Sequence, residues 1–203
     1  MTQALQQAIN RTLLDAIPKM KEGAATVQSI HEKFNALNLM FEPASPEPLP
    51  AWQYRQTVLQ NSLAGPLADL AQIIDAYWEC TDWFRNPNYI HDKSLGRFRN
   101  GYGYNQYVGD SGMVKSSEIA IGIMLISPDC VYPAHDHLAE EIYIPISGRA
   151  EWWTAENDWQ IREPGTPIFH RSWLPHATRT LKEPLLALYG WLGDSAKHAT
   201  ISA

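Results

Sequence analysis

Cysteine is scarce in this sequence, and acidic residues outnumber basic ones. Two cysteines occur in 203 residues, Cys80 and Cys130. Such a pair, in a chain without a recognisable signal peptide, more often remains as free thiols than forms a disulfide. Lys and Arg number 16 against 22 Asp and Glu, which gives a formal net charge of −6. Because no basic run supplies the clustered charge that neutralises phosphates, we expect no nucleic-acid partner.

Long hydrophobic runs are also missing. No stretch approaches the ~18 consecutive apolar residues that a membrane-spanning helix needs. Residues 1–7 show no charged region leading into an apolar one, as a secretory signal would. We therefore expect a soluble, cytoplasmic protein with no membrane partner.

Apolar residues are abundant, at 45% of the chain, and their pattern differs between the two halves. In the first half they recur at spacings of three and four, which predicts three or four amphipathic helices. Closely spaced prolines from Pro43 to Pro50 end the second helix, because they remove backbone donors and force extended backbone. The helical positions are Leu5, Ala8, Ile9, Leu13, Ile17, Val27, Ile30, Phe34, Leu37, Leu67, Leu70, Ile74 and Tyr77.

Residues 81–116 are rich in aromatic residues and glycine and show no regular period. A loop this long inside a compact domain is usually functional or disordered, and its aromatic content disfavours disorder. We interpret it as a lid or a pocket wall, in which glycines allow the segment 101–109 to move over a site. The alternative is that its rings only seal the joint between the two halves.

After Ser116 the pattern changes to the alternation typical of strands. Short strands separated by Gly, Pro, Asn and Asp indicate a jelly-roll barrel, whose interior can hold a metal and a small ligand. The predicted fold class is mainly β with a helical N-terminal region, in which residues 1–116 pack on a barrel of residues 117–203 as one compact unit. The predicted strands cover residues 119–125, 140–146, 151–154, 159–161, 167–170, 177–181 and 185–191.

Four residues that can share one strand face lie close together in the second half, and three of them carry groups that bind metals. All have odd numbers, so on one extended strand their side chains would point to the same face. Imidazole nitrogens and a carboxylate oxygen suit Zn, Fe, Mn, Ni or Cu. The four residues are His135, His137, Glu141 and Tyr143.

A downstream histidine can complete this ligand set. His176 follows Pro175 after a turn at Gly165, where a strand folded back on the first would bring it. His170 lies six residues earlier and is the competing candidate. A surface strand that is merely rich in histidine is the alternative to a metal site.

These residues resemble the two sequence motifs of the cupin family. The first motif, G-x5-H-x-H-x3–4-E-x6-G, is matched from His135 onward, with Asp129 in place of the leading glycine. The second runs from a glycine to a Pro-His pair, and Thr180 stands where asparagine is common. Neither departure removes a ligand, and the Pro-His pairing favours His176 over His170. The resemblance implies a single cupin barrel that binds a divalent transition metal, with Zn, Fe, Mn, Co and Ni all compatible.

Beyond these motifs, the chain resembles the cupin dimethylsulfoniopropionate lyases of marine bacteria, most nearly the DddQ type. It shares with them a helical region before one barrel, Tyr132 just upstream of the motif, and the pair Glu141-x-Tyr143. The resemblance covers residues 117–193 best. It implies a carbon-sulfur lyase that converts a small zwitterionic substrate to dimethyl sulfide and acrylate by β-elimination.

The resemblance also implies roles for individual residues. The metal would stabilise the negative charge that develops when the α-proton leaves the substrate. Tyr132 would be the base, because a nearby divalent cation favours its phenolate form. Tyr143 would contact the metal and give way to substrate, in competition with His135. The implied metal ligands are His135, His137, Glu141 and His176, and the rings that would face the sulfonium are Tyr102, Tyr104 and Trp191.

Two other functions fit the same motifs. A cupin dioxygenase would use the same ligands, with an open position for oxygen and a wide apolar cavity. A non-catalytic cupin that binds a metabolite or stores metal would have the Tyr132 hydroxyl pointing away from the metal. Turnover without oxygen separates a lyase from a dioxygenase. The oligomeric state is open, although the N-terminal helices could form a homodimer interface.

Overall fold

The computed structural model describes residues 2–197 and 199–202. Three of its helices match those predicted from apolar spacing, and α3 is an additional helix that follows the prolines. The α-helices are α1 (Thr2–Ala16), α2 (Ala24–Ala36), α3 (Arg55–Ser62), α4 (Ala68–Tyr77) and α5 (Phe98–Gly101).

The strands begin before the helical half has ended. The first four are short, and the longest ones follow Ser116. They are β1 (Trp83–Phe84), β2 (Tyr102–Asn105), β3 (Val108–Gly109), β4 (Val114–Lys115), β5 (Ile119–Ile126), β6 (Val131–Asp136), β7 (Glu140–Ser147), β8 (Ala150–Thr154), β9 (Asn157–Arg162), β10 (Ile168–His170), β11 (His176–Thr180), β12 (Leu185–Leu192) and β13 (Thr200–Ile201).

Two sheets contain these strands, and their pairing is antiparallel except between β3 and β4. The larger sheet has the order β1-β2-β5-β12-β7-β10, with β3 also paired to β5. The smaller sheet has the order β13-β6-β11-β8-β9. From β5 to β8 and again from β9 to β12, successive strands belong to different sheets. This arrangement confirms the predicted mainly-β jelly-roll barrel with N-terminal helices.

The larger sheet is buried on both faces, as β5 shows. Ile121 and Ile123 pack with the helices, whereas Ala120 and Met124 belong to the cluster between the sheets. Because successive side chains alternate faces, a strand covered on both sides forms a continuous apolar run, here IAIGIMLI. The helices therefore cover the outside of the barrel, and its interior is left for the site.

Helix α1 shows how the N-terminal half covers that outer face. Leu5, Ile9 and Leu13 recur every four residues, share one helix face and are almost completely buried in the same cluster as Ile121 and Ile123. Burying each such side chain stabilises the fold by about 1.5–3 kcal/mol. The covering helices thus help to hold the larger sheet in shape.

The segment 81–116 differs from the sequence prediction. It is not one irregular loop, because it forms β1 to β4 and α5. In β2, Tyr102 lies opposite Ile126 and Tyr104 opposite Met124. Strands of two to four residues are too short to show a period, and the glycines among them weaken the strand pattern further. The aromatic segment is therefore part of the larger sheet, which begins before residue 117.

The structure also describes the two cysteines and the character of the helices. Cys80 is partly buried, Cys130 is buried, and both are free thiols. Within the described residues, no helix has both the length and the apolar character needed to cross a bilayer.

Candidate metal centre

The first predicted ligands come from two strands that lie in different sheets. His135 lies in β6, His137 lies one residue beyond the end of β6, and Glu141 lies in β7. The smaller sheet contains β6 and the larger sheet contains β7. The expectation that one strand face carries all these side chains is therefore wrong. The chain crosses between the sheets at residues 137–139, and the side chains converge inside the barrel.

Strand pairing brings two further histidines to the same place. His176 of β11 lies opposite His135 of β6. His170 of β10 lies opposite Glu141 of β7. Because directly opposed residues of antiparallel strands share a face, both histidines join the group, including the one that the motif disfavours.

Backbone carbonyl groups orient three of these imidazoles. Each Nδ1–H donates to a carbonyl oxygen close in sequence, so in the neutral ring the lone pair is on Nε2, the form in which imidazole binds metals. The three contacts are His135 to Pro133 at 2.8 Å, His137 to Ala139 at 2.9 Å and His176 to Leu174 at 2.8 Å.

The ligand atoms are spaced for one ion. Glu141 Oε2 lies 3.1 Å from His137 Nε2 and 3.1 Å from His176 Nε2. The ligand atoms of His135, His137 and His176 all lie within 4.8 Å of one another. A tetrahedral ion with bonds of about 2.1 Å separates its ligands by about 3.4 Å. A proton on His137 Nε2 can bridge one of these pairs as a hydrogen bond, whereas a divalent cation would satisfy all the facing lone pairs at once, so the group fits a divalent cation.

The surroundings of Glu141 and His135 favour the protonation states in which these side chains bind metals. Burial alone would raise the pKa of Glu141, but His137 and the other histidines around it keep that pKa well below its usual range. Burial, and then the neighbouring His176, lowers the pKa of His135 well below its usual value. The group therefore offers an ionised carboxylate together with a neutral imidazole, a combination that suits a divalent transition metal.

Trp191 holds Glu141 in this orientation. Its Nε1–H donates to Glu141 Oε1 at 2.6 Å, which leaves Oε2 facing the histidines. Its ring also stacks on His137, with centroids 4.2 Å apart. Trp191, predicted as a ring for the substrate cation, therefore also positions two candidate ligands, and one face of its ring is covered by His137.

The two departures from the cupin motif stabilise the turn before β6. Asp129 adopts a φ of 50°, the left-handed conformation that glycine adopts freely and that aspartate tolerates. Thr180 Oγ1 donates to Ser127 O at 2.6 Å and accepts from the N–H of Cys130 at 3.0 Å. Both replacements thus support the start of the strand that carries His135.

A pocket lies beside Glu141. Among the candidate metal ligands in the described part of the chain, Glu141 lies on the wall of this pocket. The described lining of the pocket contains no lysine or arginine. The pocket therefore offers rings and one carboxylate rather than basic groups. Its aromatic lining consists of Tyr102, Tyr104, Tyr132, Tyr143, Tyr189 and Trp191.

Tyr132 lies directly over a candidate ligand. Its ring stacks on that of His135, with centroids 3.9 Å apart and planes 6° from parallel. Burial, and then the phenol groups of Tyr102 and Tyr89, raises the pKa of Tyr132 well above its usual value. The hydroxyl is therefore protonated at pH 7 unless a positive charge lies nearby.

Tyr143 differs from Tyr132 in its charged neighbour. Burial, and then the carboxylate of Glu141, raises the pKa of Tyr143 well above its usual value. Its ring lies 5.0 Å from that of Trp152 and 5.9 Å from that of His170. A phenolate at Tyr143 would face a carboxylate, so Tyr143 is less suited than Tyr132 to act as a base.

Tyr102 and Tyr104 lie on the pocket wall formed by β2. The ring centroid of Tyr102 lies 5.2 Å from that of Tyr132 and 4.7 Å from that of Phe98, on which it stacks. The ring centroid of Tyr104 lies 6.3 Å from that of Tyr189. Burial raises the pKa of Tyr102 well above its usual value and that of Tyr104 to about 12. Both therefore offer neutral rings to the pocket.

Sequence reasoning did not single out Tyr189, which lines the same pocket and donates to Asn105 O at 2.8 Å. Its position two residues before Trp191 in a predicted strand could have identified it, because such residues share a face. Ala199 also lines the pocket, and its carbonyl accepts from Asn86 Nδ2 at 3.1 Å. No local pattern could have identified that contact, because it joins distant parts of the chain.

Comparison with known proteins finds similar sequences and structures. The sequence model of the DMSP lyase family, described as dimethylsulfoniopropionate lyase, matches residues 24–187. The dimethylsulfoniopropionate lyase DddQ of Ruegeria pomeroyi is 38% identical over 87 residues, which are 43% of this chain and 43% of that protein. The aligned stretch thus spans less than half the length of this curated relative.

Two solved structures resemble the whole fold. The crystal structure of DMSP lyase DddQ from Ruegeria pomeroyi DSS-3 aligns with a TM-score of 0.72 at 25% identity, covering 91% of this chain and 96% of that chain. A structure described with the DMSP lyases RdDddP and RnDddQII aligns with a TM-score of 0.69 at 23% identity, covering 96% of this chain and 100% of that chain. The second likeness shows the fold alone.

Proposed function

We propose that this chain, which belongs to the dimethylsulfoniopropionate lyase family, cleaves dimethylsulfoniopropionate to dimethyl sulfide and acrylate. The observation that carries the proposal is the position of Glu141. Its Oε2 lies among histidine ligand atoms, and its side chain forms part of the wall of an aromatic pocket. A metal centre and a cation-binding surface are thereby adjacent, as a substrate with a carboxylate at one end and a sulfonium at the other requires.

The proposed metal ligands are His135, His137, Glu141 and His176. A divalent transition metal bound there would supply a Lewis acid for the substrate carboxylate and would stabilise the negative charge that develops at the α-carbon. The orientation of the three Nε2 atoms and the ionised carboxylate support this assignment, and Zn, Fe, Mn, Co and Ni all suit these ligands. Tyr143 is adjacent to Glu141 in the pocket. We propose that it contacts the metal and is displaced when the substrate binds.

Tyr132 is the proposed base. In the elimination, its oxygen takes the α-proton, the C–H electron pair forms the new C=C bond, and the C–S bond breaks. The sulfur leaves with its electron pair as dimethyl sulfide. The ring of Tyr132 stacks on that of His135, so its phenolate would lie beside a group that binds the cation.

The sulfonium is proposed to lie against the rings of Tyr102, Tyr104 and Trp191. Aromatic faces attract desolvated cations by ~0.5–2 kcal/mol per ring without attacking carbon. Burial keeps the phenols of Tyr102 and Tyr104 neutral, so these side chains provide rings without a competing charge. The absence of lysine and arginine from the described lining also suits a cationic group.

The test is headspace measurement of dimethyl sulfide, with acrylate measured in solution, from purified protein loaded with each candidate metal. The reaction is run without oxygen, so that a dioxygenase would be inactive. We expect equal amounts of both products from metal-loaded protein, and none from metal-free protein or Glu141→Gln. Glu151→Gln is the control, because Glu151 pairs with Arg179 away from the pocket and the metal centre. No dimethyl sulfide with any metal would exclude the proposed activity.

A further inference from the structure

His170 is a buried histidine to which the proposed reaction gives no role. Its relative exposure is 0%. Neither of its ring nitrogens has a hydrogen-bond partner among the described residues. A buried imidazole without partners loses the hydration of both nitrogens, which destabilises the fold. Its position therefore requires an explanation other than hydrogen bonding within the protein.

One ring nitrogen of His170 lies beside the candidate metal centre. Its Nδ1 lies 3.5 Å from Glu141 Oε2, a contact that is not aligned as a hydrogen bond. The ligand atoms of Glu141, His170 and His176 all lie within 4.8 Å of one another. His176 Nε2 likewise has no hydrogen-bond partner among the described residues. The separations of 3.1 Å and 3.5 Å from Glu141 Oε2 bracket the ~3.4 Å expected between ligands of a tetrahedral ion.

We propose that His170 is itself a metal ligand, and that Glu141, His170 and His176 form a second ligand triad that overlaps the first. Two triads that share His176 can bind the same cation in two neighbouring positions. The first triad consists of His135, His137 and His176, and the second consists of Glu141, His170 and His176. This inference rests on the metal centre of the proposed function, but it does not depend on the reaction.

Packing alone is the competing explanation. The ring of His170 stacks on that of His176, with centroids 3.9 Å apart and planes 21° from parallel, and it lies 6.3 Å from Trp152. A histidine that only fills this space could be replaced by phenylalanine without changing the metal. His170→Phe keeps an aromatic ring and removes both nitrogens. Trp152→Phe is the matched control, because it alters packing beside His170 and removes no candidate ligand.

The experiment compares cobalt binding by metal-free wild type, His170→Phe and Trp152→Phe. Affinity is measured by competition with a chelator, and the visible absorption of bound Co²⁺ reports its ligands. We expect His170→Phe to bind Co²⁺ at least ~10-fold more weakly and with an altered spectrum. Trp152→Phe should retain the affinity and the spectrum of the wild type.

A crystal of the cobalt-loaded wild type provides an independent test that needs no folded variant. Anomalous scattering should show cobalt within about 2.3 Å of a His170 nitrogen, at full or partial occupancy. Cobalt bound only at a distance from His170, or a spectrum unchanged in His170→Phe, would overturn the inference and leave the proposed function intact. Equal weakening by Trp152→Phe would show that packing is the cause. If wild-type protein bound no transition metal, the proposed function would fail together with this inference.

Discussion

The chemistry proposed for Tyr132 depends on one oxygen atom, so a single-atom deletion tests it. Tyr132→Phe keeps the ring that stacks on His135 and removes only the hydroxyl. We expect kcat to fall by at least ~10²-fold, the lower range for loss of a general base, while metal content stays unchanged. Turnover is measured by release of dimethyl sulfide, and metal content by elemental analysis.

Two further tyrosine variants make this result specific. Tyr77→Phe removes a buried hydroxyl among the helices, away from the pocket, and should leave turnover unchanged. Tyr143→Phe should weaken metal or substrate binding as well as turnover, because Tyr143 lies beside Glu141. Near-normal turnover in Tyr132→Phe would transfer the role of base to Tyr143 or to a metal-bound hydroxide.

The buried histidines give the metal-free protein a predictable pH dependence. Burial, and then the neighbouring His176, lowers the pKa of His170 to about 4 and that of His135 well below its usual value of 6.5. Between about pH 6.5 and pH 4 the unfolded chain therefore binds more protons than the folded chain, and the free energy of unfolding falls as the pH falls. Each such histidine contributes a slope of up to ~1.4 kcal/mol per pH unit.

Urea unfolding of the metal-free protein at about pH 7, 6 and 5 measures this slope. His170→Phe should reduce the slope by the contribution of one histidine, because one titrating group is removed. Trp152→Phe should keep the wild-type slope. An unchanged slope in His170→Phe would contradict the low pKa of His170.

At the scale of single elements, β2 is the strand through which the aromatic segment contributes to the pocket. It pairs with β1 and β5, and it places Tyr102 and Tyr104 on the wall. Replacing both tyrosines with leucine keeps apolar volume in the strand and removes the rings proposed to face the sulfonium. We expect the KM for dimethylsulfoniopropionate to rise about 10-fold or more, since each lost ring removes ~0.5–2 kcal/mol of cation attraction.

Metal affinity and the urea midpoint of the same double variant separate substrate binding from folding. Both should remain close to wild type, because neither tyrosine is a proposed ligand. Unchanged KM and kcat would mean that these rings only seal the barrel, and the cation-binding surface would then have to be sought at Trp191 and Tyr189.

The elements that could be predicted are those whose length allows a period to appear. Helices α1, α2 and α4 and strands β5, β7 and β12 each carry enough apolar positions to reveal a spacing of three and four or of two. The strands from β1 to β4 have two to four residues each and show no period. The crossing between β6 and β7 was also missed, because the odd numbering of His135, His137 and Glu141 continues through the turn.

At the scale of the whole molecule, the sequence could identify ligand candidates but not every neighbour of the site. His135, His137 and Glu141 are close in the chain, so their spacing alone suggested that they meet. Whether His170 or His176 joins them depends on how β10 and β11 pair, and the structure brings both to Glu141. Such contacts are set by the pairing of distant strands, which local spacing does not contain.

Because β6 and β11 lie in the smaller sheet and β7 in the larger, a cation bound by their side chains would join the two sheets. Its binding free energy then adds to the stability of the folded barrel. We expect a metal concentration 100 times the dissociation constant to raise the free energy of unfolding by about 2.7 kcal/mol, if the unfolded chain does not bind the metal. Urea unfolding with metal and with chelator measures this difference. Glu141→Gln should lose most of it and Glu151→Gln should retain it, whereas equal stabilisation of both variants would show that the metal binds elsewhere.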